Sequence, residues 1–125
     1  MMYDTDILIW IQRGHAKAAR LVEKDRSKSL SVQSYMELLQ GARDKAEQQV
    51  IKDFVYAFDF AILPLTENIG HRALVYVEEY ALAAGMRSAD ALIAATAVER
   101  NLELVTSNTK HFRAVKDLRL KAFRP

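Results

Sequence analysis

Residues 89–98 restrict the fold of this chain more than any other stretch. They are apolar except for Asp90 and Thr96. A helix that is apolar on every side must be covered on every side, and its alanines, Ala94 and Ala97 among them, allow close approach of a neighbouring backbone. We therefore predict a buried helix with Ser88 as its N-cap and Asp90 in its first turn, where the helix dipole alone would favour a carboxylate.

Short apolar segments alternate with amphipathic helices along the rest of the chain. We predict strands at 1–3, 30–32, 58–65, 102–105 and 118–123, the third of them buried and the last at a sheet edge. Helices are expected after Thr5 or Asp6 as N-cap, at 16–24, 34–43 and 46–57, and from the Thr66 cap to Gly85. This alternation is typical of an α/β protein with a parallel, helix-covered sheet. With 125 residues, 4 Gly and 2 Pro, the sequence predicts one domain, 1–125.

The residue inventory leaves few kinds of chemistry open. There is no Cys, which excludes disulfides, Cys-ligated zinc and a thiol nucleophile. His15, His71 and His111 lack the spacing of a zinc motif, and we expect surface or capping roles for them. Neither a nucleophile elbow nor a glycine-rich phosphate loop occurs. No apolar run approaches the ~20 residues of a membrane span, no secretory signal is recognisable, and we expect a cytoplasmic protein whose chemistry depends on carboxylates.

Positive charge is concentrated in two segments. Residues 12–28 carry a net charge of +4 and residues 110–125 one of +5, whereas the whole chain has only +2. The middle of the chain is therefore acidic. This pattern is compatible with a polyanion that meets a carboxylate-lined site, although charge alone favours a solvated helix face and a protected edge strand.

Asp4 is the carboxylate that most needs an explanation. It follows the first predicted strand directly, and the first basic residue after it is Arg13. A buried carboxylate without a positive partner is costly, so a metal ion is a candidate partner. Ligands of α/β proteins bind at the carboxyl ends of the strands, and Asn108 follows another predicted strand closely. Asp6 is explained as a helix cap, and periodicity places Glu37 on the solvent side of its helix.

Three segments recur together in one known family. They are MMYDTDILI, SVQSYMELLQGAR and MRSADALIAATAVERNLELVTSNTKHF, in that order over nearly the whole chain. With them the chain resembles the PIN-domain family, and in particular the VapC-type toxins of bacterial toxin-antitoxin pairs. The last segment is the most specific, because it combines an acid, an alanine-rich helix, a strand and a Thr-x-Asn turn.

The resemblance implies a three-layer α/β/α sandwich on a mainly parallel sheet and an endoribonuclease that depends on Mg²⁺ or Mn²⁺. It assigns metal binding to Asp4, Glu37 and Asp90 and places Asn108 where many relatives have an acid. It gives supporting roles to Thr5 and Thr106, and also to Asp6, which stands where Asn is more usual. The basic segments would then hold the RNA backbone beside the acids.

Two other functions remain open. Asp4-x-Asp6 and Thr106-Ser107 also occur in phosphatases of the haloacid-dehalogenase type, although these need a later lysine and a further acidic pair. A catalytically silent RNA-binding or antitoxin-sequestered protein could keep the same fold. Metal-dependent cleavage of cellular RNA separates these alternatives.

The resemblance also implies protein partners. A homodimer is expected, and the apolar block Ile7–Ile11, which contains the only Trp, is a candidate interface. A cognate VapB-like antitoxin is expected to place a tail in the groove that leads to the acids. Five apolar residues near the start of the chain are candidates to receive its amphipathic helix: Leu8, Trp10, Ile11, Leu21 and Val22.

Overall fold

A five-stranded sheet forms the centre of the computed structural model, which describes residues 1–125. The strands are β1 (Met2–Tyr3), β2 (Ser29–Ser31), β3 (Ala61–Leu63), β4 (Leu104–Thr106) and β5 (Leu120–Ala122). Their order is β3-β2-β1-β4-β5, and every neighbouring pair is parallel. All five carboxyl ends therefore lie at one edge of the sheet, with β1 in the middle.

Six helices cover the two faces of this sheet. They are α1 (Thr5–Gln12), α2 (Ala16–Lys24), α3 (Val32–Gln40), α4 (Lys45–Ala57), α5 (Glu67–Ala84) and α6 (Ser88–Glu99). Apolar residues of α1 to α4 form one core against the sheet, and those of α5 and α6 form a second core on its other face. The predicted three-layer α/β/α sandwich is confirmed. None of the helices is long and apolar enough to cross a bilayer.

Helix α6 is as buried as its composition predicts. Ala91, Ala94, Ala95 and Ala97 have no exposed surface, and Thr96 satisfies its buried hydroxyl by donating to the Leu92 carbonyl at 2.7 Å. Because small side chains dominate α6, it packs closely along α5. This packing fixes the position of the first turn of α6, which carries Asp90.

Four local expectations were wrong. The N-cap of α1 is Asp4 rather than Thr5 or Asp6, and that of α6 is Arg87 rather than Ser88, because both helices begin earlier than predicted and include those residues.

The segment 58–65 forms only the short strand β3, which is an edge strand with Ala61 exposed rather than a buried strand. Val50, expected to face inward on α4, is 62% exposed. β5 lies at the other edge, as predicted.

Candidate active site

Asp4 joins the end of β1 to the start of α1. Its backbone N–H donates to the Val105 carbonyl of β4 at 2.9 Å, and its side chain caps α1 by accepting from the Thr5 N–H at 2.8 Å. The Thr106 hydroxyl donates to the other carboxylate oxygen at 2.8 Å. Asp4 is only 8% exposed. Strand pairing and helix capping therefore hold this carboxylate in one place at the carboxyl edge of the sheet.

The surroundings of Asp4 disfavour its negative charge. Burial raises its pKa to about 7, the charges of Asp6 and Asp90 act in the same direction, and the hydrogen bonds from Thr106 and Thr5 offset only part of the effect. No Lys, Arg or His forms an ion pair with it. The site thus holds a carboxylate that a cation would stabilise.

Asp6 ties α1 to the loop that follows β4. One of its oxygens accepts from the Ser107 N–H at 2.9 Å and from the Ser107 hydroxyl, with the Thr106 hydroxyl at 3.4 Å. The other oxygen is buried and has no hydrogen-bond partner. Asp6 is therefore a bridging residue with one free acceptor, and it does not cap the helix.

Glu37 faces the same region from α3. The periodicity of α3 placed it in solvent, but it is half-buried, with the Gln33 side chain 3.4 Å from its carboxylate. Burial raises its pKa, the nearby charge of Asp90 adds to this, and the Gln33 and Thr5 side chains oppose it. The Thr5 hydroxyl is buried and makes no hydrogen bond of ordinary geometry. It is nevertheless close enough to the Glu37 carboxylate to lower the pKa of that group.

Asp90 enters from the first turn of α6, as predicted. One of its oxygens accepts from the Arg87 N–H at 3.3 Å and lies 3.3 Å from His111 Nδ1. The contact with the helix N-terminus favours its charge. The Asp90 carboxylate therefore already contacts the Arg87 N–H and the His111 ring, and a cation could bind it in place of these groups or beside them.

Asn108 and His111 lie in the turn after β4, beside Asp90 and Thr106. The Asn108 N–H donates to the Thr106 hydroxyl at 2.9 Å, and its side-chain amide lies 3.3 Å from His111 Nδ1. That nitrogen donates to Asp90 when it carries a proton and accepts from Asn108 when it does not. His111, expected at the surface or as a cap, instead lies beside Asp90 and Asn108. Its spacing of three residues from Asn108, one turn of a 3-10 helix, is the sequence signal for this position.

These side chains surround one cavity of about 560 Å³, which we call the acidic cavity. Six of the seven predicted site residues line it: Asp4, Thr5, Asp6, Glu37, Asp90 and Asn108. The seventh, Thr106, is fully buried behind Asp4 and acts through it. Arg87 and His111 also line the cavity. Residues that are far apart in sequence thus meet at one edge of the sheet.

The donor set of the acidic cavity suits a hard divalent cation that keeps part of its water. No three carboxylate or imidazole groups are close enough to form a closed metal cage. Mg²⁺ does not need one, because it usually takes one or two carboxylates and retains several waters. The raised pKa of Asp4 and the unpartnered oxygens of Thr5 and Asp6 mark oxygen donors that lack a positive partner. The residues present therefore fit such an ion.

Comparison with known proteins gives a consistent result. A family model described as the PIN domain matches residues 1–118. A toxin-antitoxin complex from Klebsiella pneumoniae contains a chain that is 28% identical, with 94% of this chain and 93% of that chain covered and a TM-score of 0.77. No curated protein sequence matches significantly.

Two further structures share the fold at 23% identity. They are VapBC2 from Rickettsia felis bound to a promoter DNA fragment, with a TM-score of 0.82 and 98% of each chain covered, and VapBC-1 from nontypeable Haemophilus influenzae, with a TM-score of 0.79 and 97% of this chain and 96% of that chain covered.

Proposed function

The chain belongs to the PIN-domain family, and from this premise we propose that it is an Mg²⁺- or Mn²⁺-dependent endoribonuclease that acts in the cytoplasm as the toxin of a toxin-antitoxin pair. The observation that carries the proposal is the acidic cavity, in which buried Asp4 lies with Glu37 and Asp90 and forms no ion pair with a basic side chain. The similarity to chains of toxin-antitoxin complexes supports the toxin role.

Each site residue has a role that follows from its contacts. One or two of the carboxylates of Asp4, Glu37 and Asp90 would hold the ion directly and the remainder through its bound waters, with Asn108 as a neutral neighbour at the rim. Thr106 keeps the Asp4 carboxylate in position, Thr5 offers a free hydroxyl toward Glu37, and Asp6 fixes the loop after β4. When bound, the ion supplies a water of lowered pKa and positive charge for phosphate oxygens.

The phosphatase alternative finds no support in the cavity. That chemistry needs a lysine at the site, and the only basic side chains that line the acidic cavity are Arg87 and His111. A silent RNA-binding protein keeps the same fold and differs from an enzyme in activity alone. The acidic cavity favours the enzyme, because three carboxylates beside a phosphate would weaken RNA binding unless a metal ion is present.

Cleavage of mixed cellular RNA tests the proposal directly. We expect internal cuts when Mg²⁺ or Mn²⁺ is present and none in excess EDTA, read on a denaturing gel. Intact RNA under all metal conditions, with a folded protein, supports the silent RNA-binding alternative. Cuts that persist in EDTA contradict a metal-dependent mechanism.

An apolar groove next to the acidic cavity is the proposed binding site of a VapB-like antitoxin. The groove has a volume of about 850 Å³ and lies between α1, α3 and α4, with Ile11, Val50 and Phe54 among its lining residues. Ile9 and Glu37 line both the groove and the acidic cavity. A partner helix in the groove could therefore extend a tail to the carboxylates, where an Arg or Lys would supply the missing positive charge and compete with metal.

Two of the five residues predicted to receive the antitoxin helix are inaccessible in the structure. Leu8 and Val22 are fully buried and cannot receive a partner, because they pack in the core against the sheet, whereas Trp10, Ile11 and Leu21 remain partly exposed. Sequence periodicity identified the apolar helices but not which of their faces the sheet covers.

Val50→Asp should prevent antitoxin binding while RNA cleavage persists. Val50 lines the groove, and an aspartate there would place a desolvated charge against an apolar helix. The matched control is Tyr56→Asp, since Tyr56 is on the same helix, is 88% exposed and lines neither cavity. Pull-down of a VapB-like antitoxin from the native host, with each variant as bait, measures the effect. Equal antitoxin recovery with both variants would place the partner elsewhere.

A homodimer remains part of the proposal, on different grounds. In the block Ile7–Ile11, Ile7 and Leu8 are core residues and only Ile9 is well exposed, so this block offers little interface. Helix α5 exposes Leu74, Val75 and Leu82 within an arc of about 100° of the helix circumference, which makes this face a better candidate for the dimer interface.

Light scattering should show a dimer at micromolar concentration, and Leu82→Asp should shift it to monomer, because the change places a charge on this apolar face. A wild-type monomer over this range would contradict the dimer.

A further inference from the structure

A second cleft of about 420 Å³, which we call the cationic cleft, lies between α2 and β5. Five of its eight lining residues are basic and none is acidic: Lys17, Arg20, Lys24, Lys121 and Arg124. None of the five forms an ion pair with a carboxylate. The two basic segments of the sequence thus contribute to one surface.

The positions of the basic residues follow from regular structure. Lys17, Arg20 and Lys24 recur at helical spacing on one face of α2. The Lys17 ammonium also donates a hydrogen bond to the Arg124 carbonyl at 2.5 Å, and its Nζ lies 5.4 Å from the centre of the Phe123 ring. Packing of α2 against the end of β5 therefore brings the two sets of charges together before any ligand arrives.

Protection of a sheet edge explains only part of this charge. Lysine on an edge strand such as β5 discourages pairing with other chains, which accounts for Lys121. It does not account for three cations on the facing side of α2. Like charges that share a cleft repel one another, and a polyanion is the partner that relieves this repulsion.

β5, which contributes to the cationic cleft, is linked to the acidic cavity through β4 at the carboxyl edge of the sheet. The Phe123 N–H donates to the Thr106 carbonyl at 2.8 Å, and the Thr106 hydroxyl donates to Asp4 at 2.8 Å. β5 is two strands from β1, which corresponds to roughly 10 Å. A strand that leaves the acidic cavity toward β5 therefore reaches Arg124 and Lys17 within a short distance.

We propose that the cationic cleft binds the phosphate backbone of single-stranded RNA on one side of the cleaved bond. The inference depends on the proposed function for the identity of the polyanion. The carboxylates of the acidic cavity repel phosphates, so substrate must be held mainly by cations outside that cavity. A cleft between one helix and one strand suits a single strand, whereas a duplex would touch only its rim.

The test compares two triple variants with equal loss of charge. Arg20→Gln, Lys121→Gln and Arg124→Gln alter the cationic cleft. All three residues are exposed, and none of their side chains makes a hydrogen bond, since Arg124 accepts from Lys17 through its backbone carbonyl. Lys45→Gln, Lys52→Gln and Arg113→Gln form the control, since these exposed residues line neither the cationic cleft nor the acidic cavity. Fluorescence anisotropy with a labelled single-stranded RNA of roughly 12 nucleotides, in EDTA so that no RNA is cut, gives the affinity at several salt concentrations.

The cleft variant should bind RNA about ten- to a hundredfold more weakly at ~0.1 M salt, and its slope of log K against log salt should fall by roughly 2, as expected for three lost phosphate contacts. The control should match wild type in both. Equal loss in the two variants, or loss only for duplex DNA, overturns the inference. If only the cleft variant loses RNA affinity and the wild-type protein never cuts RNA, the cationic cleft binds RNA and only the proposed nuclease activity is wrong. If the cleft variant binds RNA normally and still cuts it, only the proposed role of the cationic cleft is wrong.

Discussion

Asp4→Asn and Asp90→Asn should each reduce metal-dependent RNA cleavage by more than about 100-fold, because loss of even an outer partner of a metal ligand costs ~10- to 100-fold. Asparagine keeps the shape of the side chain and removes its charge. In the Asp4→Asn variant the side-chain amide can still accept from the Thr5 N–H and can donate to Thr106, so the cap of α1 survives. Asp90 is the third residue of α6, and the side-chain oxygen of asparagine can still accept from the Arg87 N–H.

The control for this experiment is Asp53→Asn. Asp53 is exposed on α4, lines no part of the acidic cavity and accepts only from Gln49. Its cleavage rate should equal that of wild type. Circular dichroism spectra establish that all three variants are folded. Full cleavage by both site variants would remove Asp4 and Asp90 from the mechanism.

The same Asp4→Asn change should stabilise the metal-free protein at neutral pH. The folded state raises the pKa of Asp4 to about 7 from an ordinary value of 3.8. Between these values the folded protein holds a proton that the unfolded chain has lost, so the free energy of unfolding falls as pH rises from about 4 to about 7. The penalty reaches up to about 4 kcal/mol, and asparagine does not incur it.

Thermal unfolding in EDTA between pH 4.5 and 8 measures this effect. The Tm of Asp4→Asn should exceed that of wild type by an amount that grows with pH, to about 10 °C at pH 7.5 for a few kcal/mol in a chain of this size. Excess Mg²⁺ or Mn²⁺ should raise the Tm of wild type more than that of the variant, since only wild type keeps the charged ligand. A Tm difference that does not change with pH would show that Asp4 ionises normally in the folded protein.

The layout of the fold was largely accessible from sequence because two periodicities alternate in it. The uniformly apolar stretch 89–98 required a covered helix, and the strand before Asp4 placed that carboxylate at a strand end. Strand bounds were less accurate, since each strand contains only two or three residues. The segment 58–65 looked buried because apolar content does not distinguish a central strand from an edge strand.

Glu37 and His111 show why the site was only partly predictable. Periodicity assumes that a helix has one buried face, but α3 packs on the core with Leu38 and borders the acidic cavity with Glu37. Resemblance to the PIN-domain family supplied Glu37 where periodicity did not. His111 meets Asp90 only because the turn after β4 passes beside the start of α6, a long-range contact that no local pattern records.

The central position of β1 has a consequence for protein synthesis. β1 is made first, yet one of its neighbours is β4, and the hydrogen bond between Asp4 and Thr106 joins residues 102 positions apart. At ~5 to 20 residues per second, a ribosome needs roughly 5 to 20 s to cover that distance. Throughout this interval Asp4 has no Thr106 beside it, and the Asp90 helix is completed only near the end. We therefore expect the proposed nuclease activity to be absent from a nascent chain until synthesis has passed Thr106.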